Sequence, residues 1–138
     1  LWDFAIPELQ KRKMTAVFYM PTSQLDGYNV WNKEDDLPQL KLMNHDDIKR
    51  LTDIGMEVGS HAHHHDFLEL KDKEGVLKEL SESKAILEGI ISDKVLTVAY
   101  PYGSIPENSK DVLKQLDYKY GLAVYGYIKI YTPLKSFQ

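Results

Sequence analysis

Apolar residues along the chain fall into short runs separated by longer segments with helical periodicity. The short runs are rich in β-branched and aromatic residues and end at Pro or Gly or at a polar loop, as buried strands do. The predicted strands are "TAVFYM" (15–20), "MEVG" (56–59), "VLTVAY" (95–100), "YGLAV" (120–124) and the short alternating segment "IKIY" (128–131).

Amphipathic segments between these runs predict helices. The first is "WDFAIPELQKRK", in which Pro7 is tolerated only near the first turn. A second helix is expected after Asn44, which is a suitable N-cap, and Gly55 is a suitable stop. "ENSKDVLKQL" predicts a later helix. The longest helix is predicted from an apolar stripe with spacings of four and three, which consists of Val76, Leu80, Ser83, Leu87 and Ile90.

Helices and strands therefore alternate along almost the whole chain, which predicts an α/β fold with a mainly parallel sheet, open or barrel-like. A length of 138 residues with 43% hydrophobic content suits one globular domain over residues 1–138. Two unusual loops, "GSHAHHHDFL" and "PYGSIPEN", directly follow strands. Because the carboxyl ends of parallel strands share one edge of the sheet, we expect both loops to face one pocket.

Charge and composition narrow the chemistry. The 17 Lys and Arg residues against 21 Asp and Glu residues give a net charge of −4, and no basic block is present, which argues against nucleic acid as a partner. No apolar run approaches the about 20 residues of a transmembrane helix. The chain has no cysteine, so any metal would be held by His, Asp or Glu.

Four of the five histidines lie within one short loop, as His61, His63, His64 and His65. Neutral imidazole is the commonest protein metal ligand, and so many rings in so short a segment favour a metal site over a polar loop. If the loop makes one helical turn, His61 and His65 stand at i and i+4 and can share one ion. A metal-binding module that also uses His63 and His64 remains an alternative.

Two motifs resemble those of the polysaccharide deacetylases, also called carbohydrate esterase family four. "EVGSHAHHHDFL" is similar to the motif whose two histidines bind zinc, and "VAYPYG" is similar to the motif that forms one wall of the groove. The resemblance implies that His61 and His65 bind zinc or another divalent metal. It also implies that the backbone N–H of Tyr102 contacts the oxyanion, and that Tyr100, Pro101 and Tyr102 contact substrate.

The same resemblance implies a distorted (β/α) barrel and a zinc-dependent hydrolase that removes N-acetyl groups from N-acetylglucosamine-containing polysaccharide. It implies a secreted or cell-envelope location and, through the form Ala-Tyr-Pro-Tyr-Gly, the branch that acts on β-1,6-linked polymers. Ala99 stands where many members have Arg, and Ala62 where Ser or Thr is most common.

Two sets of family residues are not matched within residues 1–138. The motif with the catalytic base and the third metal ligand, both Asp, precedes the first helix in the family, and Leu1 falls after its expected end. The general-acid histidine is expected after Val124, where the chain has none. "LDGYN" at 25–29 is interpreted as a turn rather than as the missing motif. We therefore expect a barrel that is incomplete in this chain.

Several assignments stay open at this level. His45 is expected to face solvent, and Asp66 either orients a histidine or is a simple loop acid. Tyr100 or Trp31 could stack on a sugar, although core packing is favoured for either. The alternatives to the hydrolase are an inactive carbohydrate-binding relative, a His-rich metal-binding module, and a relative that hydrolyses a small cyclic amide without metal.

Overall fold

A computed structural model of the protein describes residues 1–35, 37–125 and 130–131. At its centre is a parallel sheet whose four strands lie in sequence order. The strands are β1 (Val17–Met20), β2 (Glu57–Ser60), β3 (Thr97–Ala99) and β4 (Tyr120–Leu122). A helix lies in each connection between neighbouring strands, so the predicted α/β fold with mainly parallel strands is confirmed.

Four α-helices lie in the described part of the chain, and all four were predicted. They are α1 (Ala5–Lys11), α2 (His45–Asp53), α3 (Lys73–Ile91) and α4 (Ser109–Gln115). Pro7 lies in the first turn of α1, where its missing N–H removes no helical hydrogen bond. Short 3₁₀ turns lie at Thr22–Gln24, Val30–Asp35, Leu68–Leu70 and Pro101–Gly103.

Helix α2 begins and ends as its sequence predicts. Asn44 accepts a hydrogen bond from the Asp47 backbone at 2.8 Å, and the Asp47 side chain accepts one from the Asn44 backbone at 3.4 Å. This reciprocal capping box satisfies two backbone N–H groups at the start of the helix. Gly55 follows the helix with φ of 82°, a left-handed conformation that glycine adopts without strain.

Helix α3 covers one face of the sheet with the predicted stripe. Val76, Leu80 and Leu87 are fully buried, and Ser83 is buried with them. The Ser83 hydroxyl lies 2.8 Å from the hydroxyl of Ser60 at the end of β2, so the helix is tied to that strand by a buried hydrogen bond. Asp72 caps the helix by accepting the Gly75 N–H at 2.8 Å.

All the predicted strands except β2 are longer than the observed ones, and β2 is shifted by one residue from the predicted 56–59 to Glu57–Ser60. β1 begins at Val17 rather than at residue 15, and β3 covers only Thr97–Ala99 of the segment 95–100. The segment 120–124 is broken at Ala123, after which β5 (Val124–Tyr125) pairs antiparallel with β6 (Ile130–Tyr131). Residues 128 and 129 of the predicted last strand lie outside the described residues.

The loop after β1 contains more local structure than its sequence indicated. Besides its two 3₁₀ turns it forms a β-bridge between Tyr28 and Lys41. The predicted turn at "LDGYN" is confirmed, with Asp26 in a left-handed conformation at φ of 62° and paired with Lys41. Among the described residues, no helix is both long enough and apolar enough to cross a membrane.

Candidate metal centre

Two loops meet at the carboxyl edge of the sheet, as the sequence predicted. Met20, Ser60 and Val98 are aligned across β1, β2 and β3, so the segments that follow these strands leave the sheet close together. The His61 ring reaches the next strand, where Nδ1 lies 2.7 Å from the carbonyl oxygen of Ala99. The His65 ring lies edge-on to Tyr102 at 4.9 Å between centroids.

The contact with Ala99 determines the form of the His61 ring. A carbonyl oxygen can only accept, so Nδ1 donates and carries the proton of the neutral ring. Burial lowers the pKa of His61, and the hydrogen bond to Ala99 offsets only part of that effect. The lone pair is therefore on Nε2, and a backbone carbonyl on the other ring nitrogen is the usual arrangement around a metal-binding histidine.

His65 completes a pair of imidazoles. Its Nε2 lies 3.1 Å from Nε2 of His61, and burial together with the neighbouring His61 ring lowers its pKa to about 4. Two imidazole nitrogens bonded to one zinc ion at about 2.0 to 2.1 Å lie about 3.3 Å apart at a tetrahedral angle. The donor type, the neutral state and the separation of the two nitrogens therefore fit a shared divalent metal.

The loop does not reach this geometry through the helical turn that its spacing suggested, so that part of the prediction is wrong. Residues 61–65 form no helix, and both Ala62 and His65 have left-handed backbones, with φ of 62° and 63°. L-residues adopt this conformation at a cost of about 1 kcal/mol or more, and surrounding contacts must hold them there.

His63 and His64 point away from this pair, as predicted. Nδ1 of His63 lies 2.8 Å from the hydroxyl of Thr22, while Nδ1 of His64 donates to Oε1 of Glu79 at 2.7 Å. His45 is exposed, as expected for a residue at the start of a helix. Asp66 pairs with Lys71 at 2.9 Å and so serves as a loop acid rather than as an orienting partner.

Glu79 is the residue that the sequence interpretation missed. It is buried, with 5% of its surface exposed, and it accepts hydrogen bonds from the backbone and the ring of His64. Burial acts to raise the pKa of Glu79, but these bonds and the charges of His64 and Lys71 outweigh it and lower the pKa. The sequence could have indicated that Glu79 is buried, because it lies three residues after Val76 on the apolar stripe of α3.

His64, Asp66 and Glu79 bring three potential ligand atoms within 4.8 Å of one another. The ammonium group of Lys71 already lies 2.9 Å from Asp66 and 3.9 Å from Glu79. A second cation would have to displace this lysine, so the His61–His65 pair is the better candidate for a metal.

The tyrosine loop after β3 forms an aromatic wall beside the pair. Tyr102 has a left-handed backbone with φ of 59°. The residue is 50% exposed, and its ring stacks on Phe67 at 3.9 Å between centroids. Tyr100 is 5% exposed and Pro101 is fully buried, so Tyr102 is the exposed member of the predicted substrate-binding set. Trp31 stacks on His65 at 4.3 Å between centroids.

A cavity of about 360 Å³ lies beside the metal candidates. His61, Tyr19, Tyr102 and Leu122 line it, together with mainly apolar neighbours. Tyr19 occupies its place because Gly59 has no side chain, since a Cβ there would lie 2.3 Å from the tyrosine ring. The glycine that precedes the histidine loop thus makes room for one wall of the cavity.

The fold is shared with solved structures of deacetylases. The chain superimposes on the Streptococcus pyogenes deacetylase PplD in complex with acetate, with a TM-score of 0.72 and 21% identity over 89% of this chain and 50% of that one. A de-N-acetylase from Aggregatibacter actinomycetemcomitans gives a TM-score of 0.72 with 18% identity over 92% and 60% of the two chains. A pseudoenzyme of family CE4 from Bacillus anthracis gives 0.63 with 19% identity over 82% and 34%.

The model of the polysaccharide deacetylase family matches residues 2–121. The chain therefore belongs to the polysaccharide deacetylase family. A curated relative, the poly-beta-1,6-N-acetyl-D-glucosamine N-deacetylase of Staphylococcus aureus strain MRSA252, is 24% identical over 133 residues. That match covers 90% of this chain and 43% of the relative, so the chain spans less than half the length of the curated relative.

Proposed function

We propose that this chain forms part of a metal-dependent hydrolase that removes N-acetyl groups from N-acetylglucosamine-containing polysaccharide by cleaving linear amide C–N bonds. Membership of the family supports the reaction class, and the S. aureus relative is named for this activity. The observation that carries the proposal is the 3.1 Å separation of Nε2 of His61 and Nε2 of His65 beside the exposed Tyr102.

His61 and His65 would hold zinc or another divalent ion through their Nε2 atoms. A zinc ion bound with an open position lowers the pKa of a water molecule to about 7 and polarises a carbonyl. His61 is held for this role by donating Nδ1–H to Ala99, which fixes both its tautomer and the direction of its ring. A catalytic site needs a third protein ligand and a base, and the family assigns both to carboxylates of its first motif.

Tyr102 contributes in two ways under this proposal. Its backbone N–H contacts the oxygen of the acetyl group as negative charge develops there, which is the kind of electrostatic stabilisation that acyl transfer requires. Its exposed ring forms the wall against which a sugar can lie. Tyr100 and Pro101 have buried side chains, and we propose that they support the loop beneath the substrate.

The substrate that we propose is a β-1,6-linked polymer, by analogy with the S. aureus relative and with the form of the tyrosine motif. On the basis of the family resemblance, we also propose a secreted or cell-envelope location. Acetate release from β-1,6- and β-1,4-linked oligomers by the full-length protein tests the linkage. Release from the β-1,4-linked oligomer alone would contradict it.

The decisive experiment measures zinc and activity together. Full-length protein prepared without a tag and without added metal should contain about one zinc ion, and removal of the metal with a chelator should abolish acetate release until zinc is restored. Full zinc occupancy with oligosaccharide binding but no acetate release would instead favour a non-catalytic carbohydrate-binding protein. Such a protein is a specific alternative, because one structural neighbour is described as a pseudoenzyme.

A further inference from the structure

Glu79 is a buried carboxylate whose contacts are concentrated on one short segment of backbone. The residue lies in α3, and only 5% of its surface is exposed. A buried carboxylate is unfavourable unless hydrogen bonds replace the water that it has lost. Oε2 of Glu79 accepts the backbone N–H groups of both His63 and His64, at 3.1 Å and 2.9 Å.

These two N–H groups lie between the left-handed residues of the loop. Ala62 comes directly before them and His65 directly after them, with φ of 62° and 63°. Successive N–H groups beside a left-handed residue form a concavity that binds an anionic oxygen. Glu79 fills this concavity from within the protein and thereby stabilises the backbone path that returns His65 toward His61.

The opposite side of the loop is held by backbone contacts from the segment that includes the end of β1. The N–H of His61 donates to the carbonyl of Met20 at 2.9 Å, and the N–H of Ser23 donates to the carbonyl of His63 at 2.8 Å. The loop is therefore fixed from the β1 side by backbone and from the α3 side by the Glu79 carboxylate. Removing Glu79 would leave two N–H groups without their acceptor and the second side of the loop unsupported.

We propose that Glu79 is a positioning residue, which sets the separation of the His61 and His65 rings by binding the backbone between them. This inference rests on the proposed role of these two histidines as metal ligands. In this role Glu79 acts as a hydrogen-bond acceptor, and its negative charge is not what positions the loop. Neither contact with substrate nor contact with the metal is part of this role.

Three substitutions of Glu79 in the full-length protein distinguish a role as hydrogen-bond acceptor from a role of its charge. Glu79→Gln keeps an oxygen for the two N–H groups, and its amide can face His64, whose ring can change tautomer. Glu79→Asp keeps the charge but shortens the side chain by one methylene, which withdraws the oxygen from the loop. Glu79→Ala removes the acceptor altogether. Glu82→Ala on the same helix is the matched control, because Glu82 lies 3.9 Å from the His63 ring and contacts no loop N–H.

The measurement is zinc affinity, by competition with a chelating dye, on variants whose folding is checked by circular dichroism and thermal unfolding. We expect Glu79→Ala and Glu79→Asp to bind zinc about 10- to 100-fold more weakly, as is typical when a group that orients metal ligands is removed. Glu79→Gln and Glu82→Ala should stay within about threefold of wild type. If Glu79→Ala does not fold, the contrast between Gln and Asp carries the test.

Two results would overturn the inference. One is a Glu79→Asp protein that binds zinc as well as Glu79→Gln or better, since charge would then matter more than reach. The other is a loss of thermal stability in Glu79→Ala with zinc affinity unchanged, which would make the role merely structural. A wild-type protein that binds no zinc would instead contradict the proposed function itself, and it is measured first for that reason.

Discussion

The four histidines of one loop divide into two pairs that differ in the groups they contact. The ligand pair, which consists of the proposed metal ligands His61 and His65, is partly buried, and its Nε2 atoms lie 3.1 Å apart. The anchor pair, His63 and His64, turns away toward Thr22 and Glu79. The outer histidines of a short loop thus face each other, and the inner two attach the loop to its neighbours, so the contacts of each ring rather than its residue type distinguish the pairs.

Loss of a ligand should produce the largest effect. His61→Ala should weaken zinc binding by more than about 100-fold, since even the loss of an outer partner of a ligand costs about 10- to 100-fold. Elemental analysis and acetate release by the full-length protein measure the change. His63→Ala is the matched control from the anchor pair. Zinc retained in His61→Ala and lost in His63→Ala would reverse the division of the loop.

Gly59→Ala should disturb both pairs at once. The new Cβ would lie 2.3 Å from the ring of Tyr19 and 2.9 Å from the hydroxyl of Thr97, so the neighbouring strands must shift. Overpacking of this kind costs about 1 to 3 kcal/mol, which urea unfolding can measure.

Gly89→Ala in α3 is the control for this substitution, because a Cβ there meets nothing within 4 Å. We expect it to stabilise the protein by about 0.5 to 1 kcal/mol, as alanine is the better helix former. Equal changes in the free energy of unfolding for the two glycine variants would show that close packing around Gly59 does not cause the loss of stability.

A smaller effect is expected for the anchor of His63. Thr22→Val keeps the size of a side chain that is 6% exposed but removes the hydroxyl 2.8 Å from Nδ1 of His63. Loss of this bond should lower the free energy of unfolding by about 0.5 to 1.5 kcal/mol and leave zinc affinity within about threefold. Thr52→Val, whose hydroxyl bond is exposed, should change stability less. A loss of zinc affinity comparable to that of His61→Ala would mean that the anchor pair also positions His61 and His65.

The smallest effect is expected for His64→Ala. The side chain is 52% exposed, and its contact with Glu79 should contribute less than about 1 kcal/mol. The backbone N–H of residue 64 still reaches Glu79 in this variant, so zinc affinity should stay within about twofold of wild type. Loss of zinc, measured with the same chelating dye, would favour the His-rich metal-binding module.

Much of the fold could be predicted because its determinants are local. The capping of α2 by Asn44 and the buried stripe of α3 follow from residues only a few positions apart. The limits of the strands were less predictable. Val95 is apolar and fully buried but precedes β3, because strand bounds depend on pairing with a neighbouring strand rather than on apolar character.

The sequence alone determined which residues could serve the site: a histidine pair four positions apart after one strand and a tyrosine turn after the next. Only the tertiary structure decided how they meet. The proton of His61 is placed by Ala99, 38 positions away, and the loop is held by Glu79 from α3. The left-handed turns at Ala62 and His65 replace the helical turn that spacing suggested. Long-range hydrogen bonds can stabilise a strained backbone that local preference disfavours. The stripe of α3 can mark Glu79 as a buried residue, but it does not show which N–H groups the carboxylate binds.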